Sequence, residues 1–240
     1  MNIEEFVFYT NQASATDDLF AIYKKAMEGL GFDRLVLTLV TDHPTLKKEA
    51  QEGIATSFPD DWINHYFTQD YGSIDPVKNQ AFIKNNVFTW DAIKKTTPLS
   101  KKQKLLLRES EEAHLHQGLG IPLRGGGGAV AVLGIASSEK DTDINSLILD
   151  KINIMGYQFY TCYCRLMEKE PITNLAMLTD KEQEILKWSA RGHTQAEVGE
   201  KLNISVHTVD YHIRNILMKL GARNITSAVV IALNRGLIQI

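Results

Sequence analysis

Cysteine is nearly absent from this chain. Cys162 and Cys164 are its only two, spaced i and i+2 in a stretch of helical periodicity, where they point to different faces. That spacing suits neither a disulfide nor a metal site, so both read as packing residues of a reducing compartment. No run approaches the ~18 to 20 uncharged apolar residues of a membrane helix, and the opening residues, with Glu4 and Glu5, lack the basic stretch and apolar core of a secretion signal. The expectation is a soluble, cytoplasmic protein with no membrane partner. Catalytic signatures are missing too: there is no G-x-S-x-G elbow, no H-E-x-x-H and no metal-spaced histidine pair, His114 and His116 being i and i+2 on an expected helix. The glycine run Gly125–Gly128 belongs to neither G-x-G-x-x-G nor G-x-x-x-x-G-K-[ST], and a strand rather than a helix follows it, so it reads as a tight hairpin and not as a phosphate cradle. No catalytic residue, metal or cofactor is expected, and the chain does not read as an enzyme.

What is present is ordinary globular composition, 44% hydrophobic and 23% charged over 240 residues, enough at about 150 residues per domain for one large domain or two unequal ones. A net charge of −3 conceals a split. From Leu178 onward 8 Lys/Arg stand against 6 Asp/Glu, with His193, His207 and His212 besides, whereas the preceding 177 residues carry 18 against 23. A mildly basic tail on an acidic body is compatible with a nucleic-acid module, but the excess is too small to establish one.

In the body, Leu19, Phe20, Tyr23, Met27 and Leu30 repeat at helical spacing over Asp17 to Leu30, with Gly31 as a stop. Strands are predicted at Arg34 to Val40 and Glu52 to Phe58. A helix opens at Pro59-Asp60-Asp61, and another runs from Ser100 to about His116 behind a Ser100-x-x-Gln103 capping box. Leu119 to Leu123 and Ala129 to Ala136 form the hairpin, and Asn145 to Met167 a long helix. Lys169-Glu170-Pro171 then breaks the pattern. The predicted class is α+β: an N-terminal α/β/α sandwich carrying a ligand site over 1–166, a linker over 167–177, and a small all-α domain over 178–240.

In the tail, Thr179-x-x-Glu182 and Thr194-x-x-Glu197 are capping boxes, and Ser205 after Asn203-Ile204 is a third helix start. Three helices are predicted at about 180–190, 195–202 and 206–220. Gly199 in the second is expected to admit close approach of the third. The third buries Val209, Ile213, Ile216 and Leu220, leaving His207, Asp210, Tyr211 and Arg214 on another face. Such a face could be merely solvated. The whole run, however, with Leu178-Thr179-x-x-Glu182, Trp188, Gly192-His193-Thr194, Glu197-Val198-Gly199, Thr208-Val209, His212-Ile213, Lys219-Leu220 and Gly236-Leu237-Ile238, resembles the helix-turn-helix domain of the LuxR family of bacterial transcription factors. The resemblance implies a recognition helix in the major groove of a double-stranded DNA operator. Its DNA-binding residues would be Thr194, His207, Thr208, Asp210, Tyr211, His212, Arg214 and Lys219. Arg214 would pair with guanine, while Thr208, His212 and Lys219 would touch the backbone. Asp210 stands where the family commonly has Lys or Arg, and could accept from cytosine instead. Glu182, Leu186 and Gly192 match positions tied to the domain's integrity.

The body resembles the acyl-homoserine-lactone receptors of the same family, through Phe58-Pro59-Asp60-Asp61-Trp62-x-x-x-Tyr66, Tyr71-x-x-Ile74-Asp75-Pro76-Val77, Phe88-Thr89-Trp90 and Gly118-x-Gly120-Ile121-Pro122-Leu123. The implied ligand site is Phe58, Trp62, Tyr66, Asp75, Trp90, Gly118 and Gly134. Trp62 would donate to the lactone carbonyl and Tyr66 to the amide carbonyl, Asp75 would accept the amide N–H, and Trp90 would wall the ring. The plain alternatives are core packing for the aromatic residues and a turn or cap acid for Asp75. Phe58 stands where Tyr is frequent, Gly134 where Thr or Ser often supports the amide, and Gly120 is smaller than usual. A roomier pocket and a bulky or long acyl chain are therefore expected.

Together these features imply a quorum-sensing regulator that binds an N-acyl-homoserine lactone and acts as a homodimer on an inverted repeat, with RNA polymerase a further partner the resemblance allows. The other reading in the same fold is an orphan regulator that senses a different small molecule or acts without one.

Overall fold

A computed structural model describes residues 1–43, 46, 48–50, 53–167 and 178–240. The chain falls into two compact units, the first ending its described residues at Met167 and the second running from Leu178 to Ile240. The predicted linker lies outside the described residues except for Met167, as does Glu52 of the second predicted strand.

The first unit is built on a five-stranded sheet: β1 (Arg34–Leu39), β2 (Gly53–Thr56), β3 (Phe88–Thr89), β4 (His116–Arg124) and β5 (Val130–Ser137). They lie in the order β2-β1-β5-β4-β3, and every neighbouring pair is antiparallel. The predicted hairpin joins β4 to β5, with Ile121 opposite Leu133 and Gly120 opposite Gly134. Every residue of β5 is buried. A strand buried on both faces needs a layer on each side.

Alternation divides the layers. Ala131, Leu133 and Ile135 face one core together with Leu35, Leu37 and Leu39. That core is covered by α1 (Ile3–Gln12), α2 (Thr16–Glu28) and α7 (Ser146–Met167), through Phe6, Leu19, Tyr23, Met27, Met155 and Phe159. Val130, Val132 and Ala136 face the opposite way, into a second core with α3 (Asp60–Thr68), α4 (Pro76–Ile83), α5 (Trp90–Thr96) and α6 (Lys101–Glu112). The sheet with helices on both faces is the predicted sandwich.

Several expectations change. The Ser100–Gln103 capping box forms, but α6 ends at Glu112; His114 takes a left-handed conformation (φ 58°) and His116 opens β4, so the two histidines do not share a helix. Three helices of this unit escaped the sequence reading, as did the last helix of the second unit. In α1, Asn2 and Glu5 make a capping box. In α4, Asp75 caps and Pro76 takes the first helical position. In α5, Thr89 caps.

The second unit consists of α8 (Asp180–Ala190), α9 (Gln195–Leu202), α10 (Val206–Leu220) and α11 (Ile225–Asn234). Both predicted capping boxes form, Ser205 caps α10, and Asn203 makes the turn before it at φ 52°. Val209, Ile213, Ile216 and Leu220 pack with Ile185, Leu186 and Val198, and α11 closes the core with Ala228 and Ala232. Gly199 admits the turn and the start of the third helix: a Cβ there would lie 2.8 Å from the Ile204 carbonyl oxygen and 3.6 Å from the backbone nitrogen of Val206, the first residue of α10. Among the described residues, no single helix is long and apolar enough to cross a membrane.

Candidate ligand cavity and recognition helix

The second core of the first unit does not close. Between the sheet and α3, α4 and α6 lies a cavity of about 210 Å³, walled largely by apolar groups such as Val36, Phe58, Val77, Leu106 and Val132. Trp62, Tyr66, Asp75, Trp90, Gly134 and Phe58, all predicted ligand residues, line it. Helical spacing explains how Trp62 and Tyr66 arrive together: at i and i+4 on α3 they share a face, with ring centroids 6.1 Å apart.

The polar centre of the wall is a pair. The Tyr66 hydroxyl donates to Asp75 Oδ2 at 2.7 Å, and Asp75 Oδ1 accepts from the Val77 backbone N–H at 2.7 Å. Asp75 is thus a helix cap and a cavity residue at once, so the two roles weighed in the sequence coexist. Desolvation holds its carboxyl above the usual carboxylate range, only partly offset by Tyr66, the Val77 N–H and Lys78. The Tyr66 phenol is pushed up by the same burial and by the neighbouring Asp75.

Trp90 does more than wall the site. It is 8% exposed, and its indole N–H is buried without an acceptor among the described residues. An unpaired buried donor costs about 1–3 kcal/mol, so this wall carries a donor that an incoming acceptor would satisfy.

The predicted ligand residue Gly118, and Gly120, expected to enlarge the pocket, take other parts. Gly118 does not line the cavity; the Trp90 ring lies against it so closely that a Cβ would fall 1.9 Å from Trp90 Cδ2. Gly118 seats the tryptophan. Gly120 is likewise filled from beside it, with Phe88 Cζ 2.4 Å from a Cβ position, so its small size does not enlarge the cavity. Gly134 does face the cavity, between Val36 and Phe58.

The sequence reading missed Lys78, Ser110, Thr38 and Thr56 in the lining. Lys78 had a signal: Asp75-Pro76 is a cap followed by a first-turn proline, and a helix begun there puts Lys78 on the Asp75 side at i+3.

In the second unit, α10 presents His207, Tyr211 and Arg214 on its exposed side, with Asp210 among them. Arg214 Nη2 lies 3.0 Å from Asp210 Oδ2, so the predicted guanine reader is tied to its own helix. The Thr208 hydroxyl is within 2.8 Å of Ser205 Oγ, and His212 stacks edge-on to Tyr211. The Thr194 hydroxyl serves the α9 cap. The Lys219 ammonium reaches inward instead of outward, donating to both oxygens of Glu182 at 2.7 and 3.0 Å. Glu182 is therefore more than a capping acid: it ties the start of α8 to the end of α10.

A sandwich with an apolar, polar-studded cavity, chained to a helix-turn-helix unit, defines a regulator of two parts, one for a small molecule and one for DNA. The comparisons agree. Residues 15–163 match the family model described as "Autoinducer binding domain", and residues 176–232 match "Bacterial regulatory proteins, luxR family". The chain belongs to the LuxR family of bacterial regulatory proteins and carries an autoinducer-binding domain ahead of the helix-turn-helix. It is similar to RhlR of Pseudomonas aeruginosa, an HTH-type quorum-sensing regulator, with 26% identity over 228 residues, covering 92% of this chain and 89% of that one. The HTH-type regulator y4qH of Sinorhizobium fredii is 23% identical over 203 residues, which span 84% of this chain and 62% of that protein. Among solved structures, Escherichia coli SdiA superposes with a TM-score of 0.69 at 22% identity over 99% of this chain and 98% of that one, a likeness of fold.

Proposed function

We propose that the cavity binds an N-acyl-homoserine lactone and that two copies of the chain, working in the cytoplasm as a dimer without catalysis, read an inverted repeat in double-stranded DNA. The Tyr66–Asp75 pair carries the ligand reading. An acyl amide brings one acceptor and one donor, and this pair offers one of each in an apolar cavity. On binding, the Tyr66 hydroxyl turns to the amide carbonyl and Asp75 takes the amide N–H, so one internal hydrogen bond is exchanged for two. Trp62 then donates to the lactone carbonyl and Trp90 covers the ring.

On the DNA side, His207, Tyr211 and Arg214 face the bases, with Asp210 steering Arg214, and Thr194, Thr208 and His212 approach the phosphates. Lys219 leaves the set of backbone contacts because Glu182 holds it. A unit of about sixty residues and small positive charge binds weakly alone, so tight binding calls for two held together.

Thermal unfolding of the full-length protein with a panel of acyl-homoserine lactones tests the reading. Asp75→Asn keeps a good cap for α4 but presents an amide to an amide, and should lose about 1–3 kcal/mol of ligand-induced stabilisation. If no lactone stabilises the native protein, or the Asn variant responds equally, the reading fails.

A further inference from the structure

The cavity holds a cation to which the reading above gives no task. Lys78 stands one turn after Asp75 on α4, lines the cavity, and is 8% exposed. Its ammonium lies 5.4 Å from the centre of the Tyr66 ring, and it donates to no acceptor among the described residues. An ammonium in the wall of an apolar cavity has three donors to satisfy and is strongly hydrated in water, so it favours a site where an acceptor arrives. Burial accordingly draws its pKa below the ordinary lysine value, with Asp75 opposing.

Charge balance selects the acceptor. With Asp75 and Lys78 both ionised the cavity is neutral, and an anionic ligand would leave uncompensated charge among apolar walls. A neutral oxygen would satisfy the ammonium without adding any. Position selects its place on the ligand. Lys78 lies over the ring of Tyr66 and makes no such contact with Trp62 or Trp90, the two rings assigned to the lactone. With Tyr66 assigned to the amide carbonyl, the lactone reading puts Lys78 toward the acyl side of the amide.

Resting on the lactone reading of the cavity, we infer that Lys78 donates to a neutral oxygen on the acyl chain close to the amide, and that the receptor selects chains bearing a keto or hydroxyl group at the third carbon over unsubstituted chains of equal length. Lys78 is thus a specificity residue of this site.

The test uses full-length protein and matched pairs of lactones, 3-oxo-acyl against unsubstituted acyl of the same length, with Kd measured for the native chain, Lys78→Met and Lys78→Gln. The native protein should prefer the 3-oxo member by about tenfold or more, as a hydrogen bond from a charged donor implies. Lys78→Met should bring the two within about twofold, chiefly by losing affinity for the 3-oxo member. Lys78→Gln, which keeps an N–H, should retain part of the preference. Equal affinity of the native protein for both members, or an undiminished preference in Lys78→Met, overturns the role of Lys78 and leaves the receptor reading standing, because lactones still bind. Failure of every lactone to bind the native protein overturns both. The comparison on native protein stands even where a variant does not fold.

Discussion

Lys219→Met is expected to destabilise the DNA-binding unit more than Glu182→Gln, although both remove the same ion pair. Glu182 is 2% exposed and accepts from the Thr179 backbone N–H at 2.7 Å as well as from Lys219. The Lys219 side chain is 30% exposed and can be rehydrated where it stands. Taking away the lysine leaves a buried carboxylate with only Thr179, its backbone N–H and hydroxyl, and no countercharge, at about 3–5 kcal/mol. Glutamine at 182 still completes the capping box and leaves only an ammonium that water reaches, at about 1–2 kcal/mol. The double variant should cost less than the two added together. Hydrogen exchange of α8 and α10 amides in the full-length protein reads these differences directly. The pH dependence has a definite sign. Burial raises the pKa of Glu182, but Lys219 and the Thr179 backbone and hydroxyl outweigh it and leave it below the ordinary glutamate value. Its contribution is full above that ordinary value and is lost as pH falls through the depressed folded value, a loss absent from the glutamine variant. If Lys219→Met cost no more than Glu182→Gln, the carboxylate would not be the desolvated partner and the reasoning would be wrong.

Two further outcomes follow from the geometry. Gly118→Ala places a Cβ against the Trp90 ring and should cost about 1–3 kcal/mol of stability in the first unit while abolishing lactone-induced thermal stabilisation; an unchanged response would mean that Trp90 needs no such seat. Asp210→Ala frees Arg214 from an exposed pair worth about 0.2–1 kcal/mol and removes a charge that repels phosphate, so binding to random DNA should tighten and the ratio of specific to nonspecific affinity should fall, as measured by competition at fixed salt. A preserved ratio would exclude Asp210 as the residue that aims Arg214.

Much of this protein is local, and what is local was legible. Three capping signals at Thr179, Thr194 and Ser205, with the stripe Val209, Ile213, Ile216 and Leu220, are enough to lay out the helix-turn-helix, because caps and 3.6-residue periodicity act within a turn or two of chain. The Trp62–Tyr66 pair was readable for the same reason. Two of the helices that escaped notice have a cap but no amphipathic period to go with it. Buried Pro76, Val77, Lys78, Gln80 and Ala81 leave α4 with no polar face to mark it, and α11 is apolar nearly throughout. Other features join residues far apart in the chain, where no short-range pattern reaches. Only the packing of β4 against α5 turns Gly118 from a ligand contact into a seat for Trp90. Only the approach of α10 to α8 turns Lys219 from a phosphate contact into the partner of Glu182, since a long flexible cation goes to whichever anion the fold brings near. The same holds for Lys78. Its identity was plain in the sequence, but its burial in the cavity was decided by the sheet and helices that enclose it.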